Sequence, residues 1–223
     1  MQAFPGALAN AQTTGNPVRS EIAMLAAPMQ RYPAHQGALR LLVVGGSLGA
    51  MALNEALPQA LAQLQADMRP LVRHQSGKRH LDKVRTTYAQ AGVEAELLPF
   101  IDDMAAAYDW ADLVLCRAGA LTVSELAAAG VPAVLVPYPY AVDDHQTRNA
   151  AYLVDAGAAL LLPQNEMSVE RLVALLQQFV DDAASGRGRL LQMAEAARRM
   201  AQPEATAMVA ENCLAAAQQR NAA

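Results

Sequence analysis

The chain has 223 residues, 53% hydrophobic and 17% charged, which suits one large domain with a sizeable core and argues against disorder. A net charge of −4 without a basic run, and 4% aromatic residues, argue against a nucleic-acid binder, which needs a positive footprint and stacking platforms. Cys116 and Cys213 lie far apart without metal spacing and read as free thiols of a reducing compartment, and no apolar run reaches the ~18 residues of a membrane span.

The opening stretch, Met1 to Asn10, has no strand or helix period and starts abruptly, like the middle of a longer protein cut at a linker. Residues 1–37 read as irregular, broken by Pro5, Pro17, Pro28 and Pro33. Within them, Gly15-Asn-Pro-Val-Arg19 is a turn presenting an arginine, and a short helix is expected over 21–27. Arg40-Leu-Leu-Val-Val44 is the first clear strand, apolar throughout as in a sheet covered on both faces. The turn Gly45-Gly-Ser-Leu-Gly-Ala50 leads into a helix over 51–65 that Pro58 interrupts or restarts. A second strand spans 70–75, and a helix over 79–91 stops at Gly92. A third strand covers 94–100, and Asp102-Asp103 caps a short helix over 104–110.

The fourth strand, 112–116, runs into Arg117-Ala-Gly-Ala-Leu-Thr-Val-Ser-Glu125 and a helix over 121–129 that ends at Gly130. A fifth strand lies at 132–137, a helix starting from Asp143 and Asp144 includes 145–155, and a sixth strand lies at 158–162. Ser168 caps a helix to about Phe179, with residues 181–189 a polar linker. Two Ala-rich helices, 190–201 and 206–219, are split by Pro203. Strand and helix alternate six times at short spacing, the signature of a doubly wound parallel α/β sheet.

In such sheets ligands bind beyond the carboxyl ends of the strands. Two turns that fall there, residues 45–50 and 117–122, are rich in small residues and adjoin helix N-termini, where free N–H groups and a partial positive charge favour an anion. Glu125, about one helical turn further, places a carboxylate beside the same spot, as a phosphate plus a sugar hydroxyl would require. Taken alone, the stretch is equally an ordinary strand-to-helix loop with a solvated glutamate. Gly45-Gly-Ser-Leu-Gly lacks the G-x-G-x-x-G spacing of a dinucleotide site, and Ser76-Gly-Lys78 lacks the upstream glycine of a P-loop. No G-x-S-x-G or H-E-x-x-H motif occurs, and His35, His74, His80 and His145 show no ligand spacing, so no metal site is read. Asp143 and Asp144 beside His145 read as helix-start residues, and His74 as a satisfied core or edge histidine.

Five segments stand in the order and spacing of one family. They are Gly45-Gly-Ser-Leu-Gly-Ala50, His74-Gln-Ser-Gly77, Phe100-Ile-Asp-Asp-Met104, Arg117-Ala-Gly-Ala-Leu-Thr-Val-Ser-Glu125 and Asp144-His-Gln-Thr-Arg-Asn149. Phe4-Pro-Gly-Ala and Gly15-Asn-Pro-Val-Arg19 match as well. From about residue 2 to 215 the chain resembles the MurG family, the UDP-N-acetylglucosamine transferases that convert lipid I to lipid II in peptidoglycan synthesis. The resemblance implies the Rossmann-like C-terminal, donor-binding half of a GT-B glycosyltransferase, without the N-terminal acceptor domain and its proposed base. No catalytic residue is therefore expected in this chain. It implies a division into 1–37 as linker and domain entry, 38–187 as donor domain, and 188–223 as C-terminal helices, the last crossing to the N-terminal domain.

Carried over by position, Phe100 and Ile101 would meet the uracil, Glu125 the ribose hydroxyls, and Arg19, Ser47 and the Leu121–Thr122 turn the diphosphate. His145, Gln146 and Asn149 would read the sugar. Gly46, Leu48, Gly49, Met104, Gly119 and Ala120 complete the expected substrate-binding set. The family match is weakest over 138–144. The partners implied are UDP-N-acetylglucosamine, lipid I through the other domain, and the cytoplasmic membrane surface, on which the full-length protein would be peripheral at the inner face of the bacterial inner membrane. No cofactor is implied, and the need for a divalent cation stays open. The rival readings are another GT-B nucleotide-sugar enzyme, a non-catalytic nucleotide-sugar binding module, and an NAD dehydrogenase.

Overall fold

The computed structural model describes residues 2–5, 11–46, 49–141 and 144–221, with side chains described as far as residue 218. Six strands, β1 (Arg40–Val44), β2 (Leu71–Gln75), β3 (Glu96–Leu98), β4 (Leu113–Cys116), β5 (Ala133–Leu135) and β6 (Ala159–Leu161), form one sheet in the order β3-β2-β1-β4-β5-β6. Every pairing is parallel. This is the expected Rossmann-like doubly wound sheet, and its order reverses between β1 and β4.

Side chains alternate across the sheet and feed two cores. Leu41, Val43, Leu113 and Leu115 enter one, while Leu42, Val114, Cys116 and Leu135 enter the other. The helices on the first face are α3 (Met51–Gln63), α4 (Leu81–Ala91) and α8 (Val169–Ala184), which contribute Leu53, Leu57, Val84, Tyr88, Leu176 and Phe179. On the second face α5 (Met104–Trp110), α6 (Ala120–Ala129) and α7 (His145–Val154) contribute Tyr108, Val123, Leu126 and Leu153. Each such side chain, fully buried, adds roughly 1.5–3 kcal/mol. That is why both faces of β1, β4 and β5 read as apolar.

The entry segment is built onto the domain. It carries two single-turn helices, α1 (Ser20–Ala23) and α2 (Pro28–Arg31). The first ends at Ala23, short of the 21–27 expected, and Ala27, which precedes Pro28, is extended at ψ 147°. Arg31 is buried and donates to the carbonyls of Ala26, Tyr108, Ala129 and Gly130. Arg198 of α9 (Gly188–Arg199) donates to Ala129, Leu25 and Ala26. Two guanidinium groups therefore close the C-terminal end of α6, where the helix dipole is negative.

Two other expectations change. Pro58 neither interrupts nor restarts its helix: α3 runs unbroken, with Pro58 buried alongside Leu57, Ala60 and Leu61, and packing outweighs local propensity. Residues 181–189 are not a linker. α8 continues to Ala184 and α9 begins at Gly188, and the polar side chains serve the turn between them. Asp182 accepts from the N–H groups of Arg189 and Leu190 at 2.9 Å each. Arg187, at φ 62°, is 4% exposed, donates to the carbonyls of Gly37 and Ala38, and sits 3.2 Å from Asp112. The final helix, α10 (Ala205–Asn221), is buried at Ala205 and thereafter largely exposed, with Leu214 64% exposed. Among the described residues no helix is long and apolar enough to cross a membrane.

Candidate donor site at the strand-order reversal

Val44 is in register with Gln75 on one side and Cys116 on the other, so the chains leaving β1, β2 and β4 emerge side by side at the carboxyl edge. The first turn is tight. Gly49 N–H donates to the Gly46 carbonyl at 2.9 Å, and the two glycines take φ of 73° and 79°. A Cβ on Gly49 would lie 2.2 Å from the Ser76 carbonyl oxygen, so glycine is required there both for φ and for space. Ser47 and Leu48, which belong to the expected site, lie outside the described residues, as does Asp143.

Gln75, 4% exposed, clamps this turn. Its amide accepts from Gly46 N–H at 3.0 Å and donates to the Gly46 carbonyl at 2.9 Å. Beneath it, His74 is fully buried between Asn54 Oδ1 and the Tyr88 hydroxyl, each 2.9 Å away. Asn54 spends its amide N–H on the Ser76 carbonyl, so its oxygen faces His74 and accepts from Nε2, leaving Nδ1 to accept from Tyr88. Burial lowers the His74 pKa to about 4 and raises that of Tyr88, which keeps the imidazole neutral and the phenol a donor. His74 is thus a satisfied core histidine.

The second turn follows β4. Gly119 is the N-cap of α6, followed by Ala120, Leu121 and Thr122 in the first turn, and among the described residues no side chain caps the helix. Two other helix starts carry a cap from the N-cap side chain, Asp103 accepting from Ala106 N–H at the start of α5 and Ser168 from Arg171 N–H at the start of α8, while α4 and α7 have none. The start of α3, after the first glycine turn, also has no side-chain cap among the described residues. Two helix N-termini with open first turns therefore face the reversal of strand order, which suits a diphosphate.

Glu125, its side chain 18% exposed, lies one turn into α6 and has a donor on each oxygen. Arg19 Nη2 is 3.1 Å from Oε1, and the Tyr108 hydroxyl donates to Oε2 at 3.1 Å. Neighbouring Asn16 donates to Ser124 at 3.1 Å, holding the entry segment against α6. Arg19, expected on the diphosphate, is here the partner of the carboxylate. Burial and the Glu125 charge push the thiol of Cys116 up to about 12, so it is inert packing.

Phe100 is 59% exposed in the loop after β3, Ile101 beside it is half-buried against the second core, and Met104 opens α5. His145, Gln146 and Asn149 share the first turns of α7. His145 is exposed, Gln146 Oε1 accepts from Tyr138 N–H at 2.9 Å, and Asn149 donates to the Ala118 carbonyl at 3.0 Å. The last bond ties α7 directly to the turn after β4. Arg117 lies within the family segment but points elsewhere. It donates to Val136, Pro137 and Gln164 and lies over the Tyr138 ring.

Sequence reading missed Tyr108 and, although Gln75 stands in the family segment His74–Gly77, gave it no role: the signals were ordinary, a tyrosine on a helix and a glutamine ending a strand. Among the described residues no group of three or more His, Cys, Asp or Glu is placed to hold a metal ion. A separate recess of about 380 Å³, between the entry segment and the ends of α9 and α10, is lined by Ser124, Ala127 and Ala128 of α6 but by neither Glu125 nor the first turn.

Residues 40–210 match the model of the glycosyltransferase family 28 C-terminal domain. The UDP-N-acetylglucosamine–N-acetylmuramyl-(pentapeptide) pyrophosphoryl-undecaprenol N-acetylglucosamine transferase of Cupriavidus metallidurans is 56% identical over 211 residues, 95% of this chain and 58% of the relative. The transferase of the same name from Azoarcus sp. is 55% identical over 219 residues, 98% of this chain and 60% of the relative. The crystal structure of Acinetobacter baumannii MurG, 43% identical, aligns with a TM-score of 0.81 over 94% of this chain and 58% of that one. The chain thus spans about 58–60% of the length of these curated relatives.

Proposed function

We propose, from the premise that this chain belongs to the glycosyltransferase family 28 C-terminal domains and that its MurG resemblance is borne out by a 43%-identical solved MurG, that it binds UDP-N-acetylglucosamine as the donor half of a GT-B enzyme. The whole protein transfers N-acetylglucosamine to lipid I, making lipid II. The observation that carries the reading is the pair of open helix N-termini at the reversal of strand order, with Glu125 one turn into the second. The first turns of α3 and α6 take the diphosphate, with Gly46, Ser47, Leu48, Gly49, Gly119, Ala120, Leu121 and Thr122 lining it. Glu125 meets the ribose, Phe100, Ile101 and Met104 the uracil, and His145, Gln146 and Asn149 the sugar.

The reaction is a direct displacement that inverts the anomeric carbon. The acceptor hydroxyl loses its proton to a base on the other domain, and UDP leaves. This half stabilises the charge growing on the leaving diphosphate through helix N–H groups already in place, and through Arg19 once the donor has drawn it from Glu125. The other half orients the acceptor, an effect worth on the order of 7–11 kcal/mol at best, and excludes water. α10 crosses to that half, and the full-length protein is peripheral on the cytoplasmic face of the inner membrane, where its lipid acceptor lies.

The test supplies labelled UDP-N-acetylglucosamine and a soluble lipid I analogue to this chain, then to the chain mixed with a separately expressed acceptor domain. Turnover is expected only on mixing. Turnover by the chain alone at a rate near the full enzyme's overturns the assignment of the base to the other domain.

A further inference from the structure

We infer that Tyr108 is the positioning residue of the proposed ribose acid: its buried hydroxyl fixes the plane of the Glu125 carboxylate so that the remaining lone pairs face the ribose diol. This rests on the reading that Glu125 meets the ribose.

The last torsion of a glutamate is broad and roughly two-fold, so a carboxylate with no fixed partner swings. Glu125 has one donor per oxygen, and the two differ in kind. Arg19 on Oε1 is 52% exposed and carries a charge that a diphosphate competes for. Tyr108 on Oε2 is 0% exposed, packed in the second core on α5, with its hydroxyl 3.1 Å from the carboxylate. One partner can leave when the donor arrives, whereas the other is walled in and holds the same bond before and after.

A phenol suits this task better than a cation would. It stays protonated, because burial and the neighbouring Glu125 charge both push its pKa far up, so it always donates. Being neutral, it leaves the carboxylate its full charge, and bonds from the ribose hydroxyls stay charge-assisted. A carboxylate has about four acceptor positions, of which Tyr108 uses one, so room remains for both hydroxyls.

The experiment is calorimetry of the 223-residue chain with UDP, 2′-deoxy-UDP and 3′-deoxy-UDP. It is run on the wild type, Tyr108→Phe, Glu125→Ala and the double variant, with thermal unfolding in parallel. The wild type should prefer UDP over at least one deoxy analogue, and Tyr108→Phe should cut that preference by roughly fivefold to tenfold. In the Glu125→Ala background the same change should leave the preference where it is. A preference unaltered by Tyr108→Phe, or altered equally in both backgrounds, overturns the positioning role and leaves the Glu125 reading intact. A wild type that shows no preference overturns the Glu125 reading, and this inference with it. Should Tyr108→Phe not fold, 3,5-difluorotyrosine at position 108 keeps the ring and strengthens the donor. The ribose preference then rises if the bond matters and stays level if it does not.

Discussion

The N-termini of α6 and α9 have the same three backbone positions to satisfy, and the molecule treats them oppositely. In α9 the second and third N–H groups, of Arg189 and Leu190, both go to the carboxylate of Asp182, which reaches across from α8. In α6 the equivalent groups belong to Leu121 and Thr122, and among the described residues no side chain caps them. The first helix end is closed by an anion the chain supplies itself. The second is left open at the carboxyl edge of the sheet, where an incoming anion can supply the charge. Openness has a cost in stability, since an N-cap side chain contributes about 1 kcal/mol. Among the described residues α5, α8 and α9 are capped, whereas α6, like α3, α4 and α7, has no cap from its N-cap side chain, so the reading of the α6 terminus as a ligand site rests on its place at the reversal of strand order.

The largest effect should come from making α6 resemble α9. Gly119→Asp puts a carboxylate at the N-cap, within reach of the N–H groups of Leu121 and Thr122. The position tolerates a side chain: φ is −66°, and a Cβ would meet nothing closer than Thr122 Oγ1 at 3.7 Å. The variant should fold at least as stably as wild type. Its UDP affinity should fall by at least a hundredfold, on the order of 3 kcal/mol, because the new charge both occupies and repels. Calorimetry reads the affinity and urea unfolding the stability, and Gly119→Ala is the steric control.

A second closed region lies under the first glycine turn, and pH probes it. The His74 pKa is lowered to about 4 in the fold, against 6.5 for the free side chain. The unfolded chain therefore takes up a proton below pH 6.5 while the native one does not. The stability owed to neutral His74 is fully present above pH 6.5 and is lost as pH falls from 6.5 to 4, in total roughly 3 kcal/mol. Urea unfolding across that window should show the slope, and His74→Gln should flatten it.

The open region yields the next effect. Glu125→Ala should weaken UDP binding by about 1.5–3 kcal/mol through loss of a charge-assisted bond, with Glu125→Gln retaining part of it. The smallest effect belongs to α9. Asp182→Ala should cost about 1–2 kcal/mol of stability in urea and leave UDP affinity unchanged, because the turn it braces packs beside Gly37 and Ala38, at the amino edge of the sheet.

The asymmetry was partly legible from sequence. The doubly wound sheet announced itself because β1 and β4 are apolar on both faces, and because Gly92 and Gly130 stop their helices in the left-handed conformation that glycine favours. The small-residue turns and Glu125 were legible because backbone anion sites demand small residues and helix starts, which are local facts. Partnerships made by packing were not. Tyr108 reaches Glu125 because α5 and α6 lie side by side, and nothing in the spacing of a tyrosine inside an Ala-rich helix encodes that. The capping role of Asp182 was hidden for the same reason, so residues 181–189 read as a polar linker when they are the junction of two packed helices. Arg117, inside the family segment but given no role there, braces the end of β5 with its guanidinium.

The most direct measurement of the central claim, that the open end of α6 belongs to a uridine diphosphate, is calorimetric titration of this chain with UDP, UDP-N-acetylglucosamine, UDP-N-acetylgalactosamine and NAD. The account predicts binding of UDP and UDP-N-acetylglucosamine, no response to NAD, and loss of the UDP signal in Gly119→Asp. Binding of NAD with no response to UDP would contradict it.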